Sequence, residues 1–120
     1  MKTRQEIIKV YRVAFVNLDT NPIENLLDLD FYYTSAYFPN IKLNKENYLN
    51  FLNDRFEKIR HLDFKILARS DHSIDLYLET GEISKRIGIL RIIKDKGKIK
   101  KVQVYKSYIT DKELLKVIPV

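Results

Sequence analysis

The sequence predicts an α+β fold, cone-shaped, with N-terminal helices packed on a curved antiparallel β-sheet. Apolar residues recur at steps of three and four up to His61 and alternate at steps of two after it, so a helical period gives way to a strand period. A chain of 120 residues has the usual size of one domain, and no repeat or Pro/Gly-rich linker divides it. We therefore expect a single domain over residues 1–120.

Three helical segments are expected in the first half. The first is an apolar stripe made of Ile7, Ile8, Tyr11, Ala14, Phe15 and Leu18. Asn21 as N-cap and Pro22 as first helical residue predict a short helix over residues 23–29. Asn44 is the expected N-cap of a long helix. Its apolar stripe consists of Tyr48, Phe51, Leu52, Arg55, Phe56 and Ile59.

Strands are expected on both sides of the long helix. Residues 31–38 are rich in β-forming side chains and predict a strand that ends at Pro39-Asn40. Alternating apolar residues then predict strands over 62–69, 74–79, 83–93 and 99–105, with a turn at 70–73. A change of parity between Ile99 and Val102 predicts a β-bulge. A capping-box sequence at residues 110–113 predicts a terminal helix over 111–117.

The composition excludes several classes of protein. With 45% hydrophobic and 32% charged residues the chain is typical of globular proteins. It contains no cysteine, which excludes disulfides and thiolate metal sites and agrees with a reducing compartment. No apolar run approaches the roughly 20 residues of a membrane helix, and the N-terminus lacks a signal-peptide core. We therefore expect a cytoplasmic protein with no membrane partner.

Positive charge is concentrated in the second half of a chain with net charge +6. Nine basic residues and one acid, Asp95, lie between Lys85 and Lys106. Such a block occurs in nucleic-acid-binding proteins, but it is also common on the solvated side of strands, where lysine protects an edge from unwanted pairing. We favour the edge role and keep nucleic-acid binding as an alternative.

The order of helix, short helix, aromatic strand, helix and four antiparallel strands resembles the nuclear-transport-factor-2-like superfamily, with its SnoaL-like and ketosteroid-isomerase-like branches. Local cues are the acidic step at residues 25–31, the hairpin at residues 95–99 and Tyr105 after it. The resemblance implies a cystatin-like α+β cone whose concave side often holds a pocket. Members include isomerases, dehydratases, cyclases, hydrolases, transport adaptors and immunity proteins, so the resemblance supports the fold better than the function.

When the chain is matched to the isomerase branch, two of the three catalytic groups of that branch are missing. The resemblance places the general base at Ser35, the oxyanion-hole acid at Ile89, and the tyrosine at Tyr11 or Arg12. A neutral hydroxyl is no base at neutral pH, and an isoleucine donates no proton. Isomerase chemistry of this kind is therefore disfavoured unless Asp30 is displaced inward.

Histidine chemistry has weak support as well. The chain has two histidines: His72 in the expected turn and His61 at a strand start near Asp63. We interpret both as surface residues, and keep His61 and Asp30 as weak catalytic candidates. Two isolated histidines without cysteine predict no metal site, and three glycines cannot build a phosphate or dinucleotide loop, so no cofactor is expected.

Eight tyrosines and six phenylalanines supply either core or the wall of an apolar pocket. The ligand-binding residues predicted from the cone are Tyr11, Phe15, Tyr33, Ser35, Phe56, Ile89 and Tyr105. We predict a non-enzymatic or accessory domain that binds a small apolar ligand or a protein partner. The alternatives are a lyase- or isomerase-type enzyme and a nucleic-acid binder.

A homodimer is also expected, because the strands carry apolar residues on both faces. Leu67 and Tyr77 lie opposite the inward set of their strands, and Leu90 and Ile92 lie opposite Ile89 and Ile93. An apolar patch on the convex side would exceed what ordinary monomers expose. The sequence therefore predicts an isologous contact through the sheet face.

Overall fold

The computed structural model describes residues 2–69, 74–106 and 112–120, and the elements below lie within them. The helices are α1 (Arg4–Val16), α2 (Asn21–Glu24), α3 (Lys45–His61) and α4 (Lys112–Leu115). The strands are β1 (Leu27–Ser35), β2 (Phe38–Asn44), β3 (Lys65–Arg69), β4 (Ile74–Thr80), β5 (Ile83–Asp95) and β6 (Lys98–Lys106). The predicted α+β fold is confirmed.

The six strands form one open, mixed sheet in the order β2-β1-β6-β5-β4-β3. β1 runs parallel to β6, and every other neighbouring pair is antiparallel, so the expectation of a fully antiparallel sheet is wrong at that one pair. α1 packs on β3, and α3 packs on β1 and β2. We call the face covered by these helices the inner face and the opposite one the outer face.

The register of the sheet shifts at four places in the described strands, and the β-bulges in β5 and β6 change which residues point inward. β5 carries one extra residue, Ile87, between the residues that pair with Leu76 and Tyr77 of β4. β6 carries another, Lys100, in the segment where the sequence predicts a bulge. An extra residue increases the local twist and reverses the parity of the strand beyond it. The predicted bulge is confirmed, and the one in β5 is a finding.

Side-chain caps fix the start of both long helices. The Thr3 hydroxyl accepts a hydrogen bond of 3.2 Å from the Glu6 amide, and the Glu6 carboxylate accepts one of 3.0 Å from the Thr3 amide. The Asn44 side chain accepts a hydrogen bond of 2.9 Å from the Asn47 amide. Asn44 is therefore the N-cap of α3, as the sequence predicts.

The short helix predicted over residues 23–29 is wrong in its extent. α2 begins earlier, ends at Glu24, and is followed by β1 from Leu27. The Leu26 carbonyl accepts a hydrogen bond of 2.7 Å from the Ile99 amide, so these residues pair with the sheet. Pairing with a distant strand therefore overrides the local helical tendency of this leucine-rich segment.

β2 is a strand that the sequence does not predict. Pro39-Asn40 reads as a strand stop, yet the chain turns back and pairs with β1, with Ser35 opposite Phe38. β2 is an edge strand of the sheet. A proline is tolerated at an edge, since its missing amide can face solvent.

The predicted terminal helix is present, whereas two other expected features lie outside the described residues. The terminal helix predicted over residues 111–117 is present as α4, which ends at Leu115. The turn expected at residues 70–73, with His72, lies outside the described residues. The same holds for residues 107–111, where the capping-box sequence begins.

Aromatic rings join the two long helices to the sheet in the core. Tyr48 of α3 packs on Phe31 and Tyr33 of β1, with ring centroids 5.1 Å and 4.9 Å apart. Phe15 of α1 stacks on Tyr11 at 5.2 Å, and the same ring meets Phe56 of α3 edge-on at 5.2 Å. These six rings are 0–2% exposed. They are therefore packed against one another as core.

A buried hydrogen bond links the two helices within this aromatic core. The Tyr11 and Tyr48 hydroxyls are bonded to each other, and both side chains are fully buried. Burial raises the pKa of Tyr11 and of Tyr48 above the ordinary tyrosine value. Both hydroxyls therefore stay protonated wherever the protein is folded near neutral pH.

We expect Tyr11→Phe and Tyr48→Phe each to lower the free energy of unfolding by about 1–3 kcal/mol, because each leaves one buried hydroxyl without its partner. The double variant should lose less than the sum of the two single losses, since no unpartnered hydroxyl remains. Urea unfolding of the four proteins measures the coupling. Additive losses would contradict the paired arrangement.

Candidate functional site

Three of the predicted ligand-binding residues belong to the core just described. Tyr11, Phe15 and Phe56 are 0–1% exposed and contact other rings of the core. Tyr37, in the turn between β1 and β2, reaches across to β5, where its hydroxyl donates a hydrogen bond of 2.6 Å to the Ile87 carbonyl. The aromatic residues therefore fill the space in which the sequence places a deep pocket.

Two other predicted lining residues, Ile89 and Tyr105, point to the outer face, so their assignment to the pocket is wrong. They lie opposite each other in the β5–β6 ladder, and Tyr105 is 41% exposed. Their neighbours Leu90 and Val104 are buried on the inner face. The physical reason is the extra residue in each strand, which reverses the parity expected from simple alternation.

An open cleft of about 380 Å³ lies between the β1–β2 hairpin and α3. Its lining is mostly apolar, with two amides and one guanidinium. The residues that line it are Tyr33, Phe38, Ile41, Leu43, Asn47, Asn50, Phe51 and Arg55. A concave apolar surface with a few polar groups is the usual form of a small-molecule site. We therefore take this cleft as the candidate functional site.

Tyr33 joins the cleft to the core. Its ring lies 4.9 Å from Tyr48 and 5.6 Å from Phe51, and the residue is 2% exposed. Its buried hydroxyl has no hydrogen-bond partner among the described residues. The Ser35 hydroxyl, which accepts a hydrogen bond of 3.2 Å from the Tyr37 amide, is near enough to lower the pKa of Tyr33 but is not placed to form a hydrogen bond with its hydroxyl. A buried polar group without a partner costs free energy, so a ligand that supplied one would gain it.

Burial raises the pKa of Tyr33 to about 12, although the Ser35 hydroxyl and the positive charge of Arg55 each lower it in part. The phenol is therefore neutral at physiological pH and can donate a hydrogen bond to an acceptor on a ligand. Ser35 itself is 4% exposed and sits beside Tyr33 rather than in the lining of the cleft.

Arg55 holds the C-terminal segment against the cleft. Its Nη1 donates hydrogen bonds of 2.6 Å to the Leu115 carbonyl and 3.2 Å to the Ile118 carbonyl. Its guanidinium lies 4.9 Å from the Phe51 ring centroid and 4.0 Å from the Asp54 carboxylate. Burial lowers the pKa of Arg55, and the Asp54 charge opposes that effect. One cation therefore connects the cleft with residues 115–118.

The end of this segment rests on a residue without a side chain. Ile118 and Val120 are fully buried. A Cβ atom built on Gly88 of β5 would lie 3.0 Å from Val120 Cγ1, which is closer than side-chain contacts normally allow. The glycine thus leaves room for Val120 to pack on the inner face of the sheet.

The weak catalytic candidates lie away from the cleft. The Asp30 side chain is 84% exposed, with its carboxylate 3.7 Å from Lys100 Nζ. The His61 side chain is 77% exposed, with Nε2 at 3.0 Å from the Glu57 carboxylate. Neither contributes to the lining of the cleft. The structure therefore does not bring them together with Tyr33.

The described residues contain no group of three or more histidine, cysteine, aspartate or glutamate side chains placed to hold a metal ion. The helices of the described segments are also too short or too polar to cross a bilayer.

Solved structures share this arrangement of helices and sheet. A de novo designed protein with a curved β-sheet aligns with a TM-score of 0.67 and 15% identity, covering 97% of both chains. A proposed ketosteroid isomerase from Kribbella flavida aligns with a TM-score of 0.65 and 13% identity, covering 89% of this chain and 79% of the other. An NTF2-like protein of unknown function from Cytophaga hutchinsonii aligns with a TM-score of 0.58 and 14% identity, covering 89% and 95%.

The chain has an NTF2-like fold. The resemblance predicted from the order of elements is therefore confirmed at the level of the fold. No protein-family model matches the sequence, and a comparison with curated proteins finds no match. Structures with this fold include a proposed polyketide cyclase and an LEH-like epoxide hydrolase, so the NTF2-like fold alone does not select an activity.

The sequence identifies one lining residue of the cleft, Tyr33, and misses the others. Phe38, Ile41 and Leu43 are missed because β2 is not predicted. A signal for Arg55 does exist, since an arginine inside the apolar stripe of α3 indicates a charge that the fold must bury or pair.

We expect Arg55→Met to lower the free energy of unfolding by about 2 kcal/mol, because it removes two hydrogen bonds from a cation to buried carbonyls. Amide hydrogen exchange in residues 115–120 should become faster. Lys58→Met is the control, since Lys58 is exposed on the same helix and pairs with Asp54. Equal effects of the two substitutions would contradict a role for Arg55 in holding this segment.

We expect Tyr33→Phe to raise the free energy of unfolding by about 1 kcal/mol at neutral pH, because it removes an unpartnered buried hydroxyl. The folded pKa lies above the unfolded value of about 10, so the wild type loses stability as pH rises from 10 towards 12. The variant lacks this loss, and its advantage should grow by about 1 kcal/mol between pH 9.5 and 11.

Urea unfolding at each pH measures that difference. The control is Tyr105→Phe, whose hydroxyl lies on the exposed outer face. An advantage of Tyr33→Phe that stays constant with pH would show that its hydroxyl titrates as it does in the unfolded chain.

Proposed function

We propose that this protein binds a small, mostly apolar ligand with one hydrogen-bond acceptor in the cleft between the β1–β2 hairpin and α3. The supporting observation is the Tyr33 hydroxyl, which is buried and without a partner among the described residues and belongs to a residue that lines a mostly apolar cleft. A carbonyl or carboxylate oxygen of the ligand would accept a hydrogen bond from this hydroxyl. The rest of the ligand would contact Phe38, Ile41 and Leu43.

The positive charge of Arg55 favours a hydrogen-bond acceptor of the ligand beside the Tyr33 hydroxyl. Arg55 is close enough to lower the pKa of Tyr33, so an acceptor beside the hydroxyl lies in a positive field. Asn47 and Asn50 add amide groups to the lining from α3. Their amides can bond the polar end of a ligand while its apolar body displaces water from the hairpin side.

We propose further that the ligand is held without being transformed. No carboxylate or imidazole is among the residues that line the cleft. Tyr33 has a pKa of about 12 and is no base at neutral pH. A lyase or isomerase reaction would require a group such as Asp30 or His61, which the cleft lacks. The lining supports binding and orientation rather than proton transfer.

The test is thermal unfolding with a panel of bicyclic ketones and bicyclic carboxylic acids, each paired with its parent hydrocarbon. We expect the acceptor-bearing compounds to raise the melting temperature more than the hydrocarbons do. Tyr33→Phe should weaken their binding five- to tenfold, which is about the contribution of one neutral hydrogen bond. Tyr77→Phe, on the outer face, should bind them as the wild type does.

Two outcomes would overturn the proposal. If no compound stabilises the protein, or if Tyr33→Phe binds all of them equally well, the hydroxyl is not a ligand contact. If mass spectrometry shows a bound compound converted to product by the wild type, the protein is an enzyme. The homodimer expected from the sequence remains a prediction.

A further inference from the structure

The outer face of the sheet is basic. Strand register places more basic than acidic side chains of the described residues on it. The basic residues include Lys42, Lys65, Arg69, Arg86, Arg91 and Lys101, and the acidic ones include Asp75 and Glu79. Asp28 and Asp30 of β1 alternate with the buried residues of their strand as Tyr32 does, and both lie 3.7 Å from Lys100. The six basic residues come from β2, β3, β5 and β6, so the charge is spread over the face rather than confined to one hairpin.

Tyrosine rings lie among these cations. Tyr32 of β1, Tyr77 of β4 and Tyr105 of β6 share the outer face. Lys42 Nζ and Lys101 Nζ lie 4.2 Å and 5.1 Å from the Tyr32 ring centroid. The Arg69 guanidinium lies 4.8 Å from that of Tyr77.

Tyr105 is the most solvent-exposed of these three rings, so a base could stack on it. It is 41% exposed, and its hydroxyl donates a hydrogen bond of 3.2 Å to the Gln103 side chain. The next residue across the sheet is Ile89, which is half-buried and presents an apolar surface beside the ring. An exposed aromatic ring therefore lies beside an apolar residue on this face, with Arg91 two residues along the neighbouring strand from Ile89.

We infer that the outer face binds single-stranded nucleic acid. Exposed aromatic rings on a sheet stack unpaired bases, and surrounding lysines and arginines contact the phosphates. The rings of Tyr32 and Tyr105 are separated along the sheet by on the order of 13 Å, so one strand of nucleic acid can reach both. This binding is separate from the cleft, which lies on the helix side of the sheet.

The same charge argues against a second copy of the chain as the occupant. A two-fold contact would bring two faces with an excess of basic residues together and would bury arginines against like charges. An anionic partner gains from the same charges. Single strands are favoured over an acidic protein because the cations stand beside flat aromatic rings, which stack on bases.

The basic block between Lys85 and Lys106 is divided by the structure. Lys98 donates to the Asn25 carbonyl, and Lys100 lies 3.7 Å from both the Asp28 and Asp30 carboxylates. These two lysines of the β5–β6 hairpin end are therefore engaged by neighbouring residues. Arg91 and Lys101 belong to the outer face, so we assign them to binding.

Fluorescence anisotropy with labelled oligo-dT and oligo-U of about 20 nucleotides, at about 50 and about 200 mM salt, tests the inference. The variant of the face combines Lys42→Gln, Arg91→Gln and Lys101→Gln. The control combines Lys2→Gln, Lys9→Gln and Lys112→Gln, which removes the same charge from exposed positions outside the sheet. The face variant should lose at least tenfold in affinity and about two units of the salt slope. The control should stay within about twofold.

Tyr105→Ala separates stacking from attraction between charges. It should weaken oligonucleotide binding at least fivefold and leave heparin binding unchanged, because heparin has no bases to stack. Tyr105→Leu, which keeps apolar bulk in the strand, should show the same selective loss. Circular dichroism of each variant verifies that the sheet is intact.

Four outcomes would overturn the inference. They are no saturable oligonucleotide binding at low salt, equal losses in the face variant and the control, equal losses of oligonucleotide and heparin with Tyr105→Ala, and tighter binding of a duplex than of a single strand. Light scattering completes the test. A homodimer that dissociates on Tyr105→Ala, without oligonucleotide binding, would assign the face to a second copy of the chain.

Discussion

The packing of one ring, Tyr48, connects the parts of this structure. From α3 it contacts Phe31 and Tyr33 of β1 through its faces and Tyr11 of α1 through its hydroxyl. Two helices and the strand that carries the cleft are thereby held in one relation. The position of the Tyr33 hydroxyl follows from it, because the ring that stacks on Tyr48 cannot turn away from the edge of the core. The cleft is shallow since the space behind it is filled by these rings.

The alternation of side chains along the strands, shifted by the two extra residues in β5 and β6, decides which residues lie on the inner face and which on the outer face. Beyond Ile87 of β5 and Lys100 of β6, the residues that would face the helices by simple alternation face outward instead. Ile89 and Tyr105 consequently join the basic outer face and leave the inner face to Gly88, Leu90 and Val104. A binding site inferred from alternation alone would mix residues of both surfaces.

The sequence predicts those features that rest on local physics. The stripe of α3, its cap at Asn44 and the bulge near Lys100 each depend on neighbouring residues, and each is confirmed. What it misses depends on distant partners: the pairing of Leu26 with Ile99, and the contact of Arg55 with residues 115 and 118. Tyr33 is predicted because buried and less buried residues alternate regularly from Phe31 to Ser35 of β1. Phe38, Ile41 and Leu43 are missed because they belong to β2, and Pro39 is interpreted as a strand stop.

The parallel pairing of β1 with β6 also sets an order of assembly. Leu27 lies opposite Ile99, about 70 residues further along the chain, and loop closure over such a distance slows folding. During synthesis the β1–β2 hairpin emerges long before β6 and lacks its neighbour in the sheet until most of the chain has left the ribosome. The β1 edge of the hairpin therefore stays unpaired in the nascent chain until the last strand of the sheet arrives, even though every residue that lines the cleft has been synthesised by then.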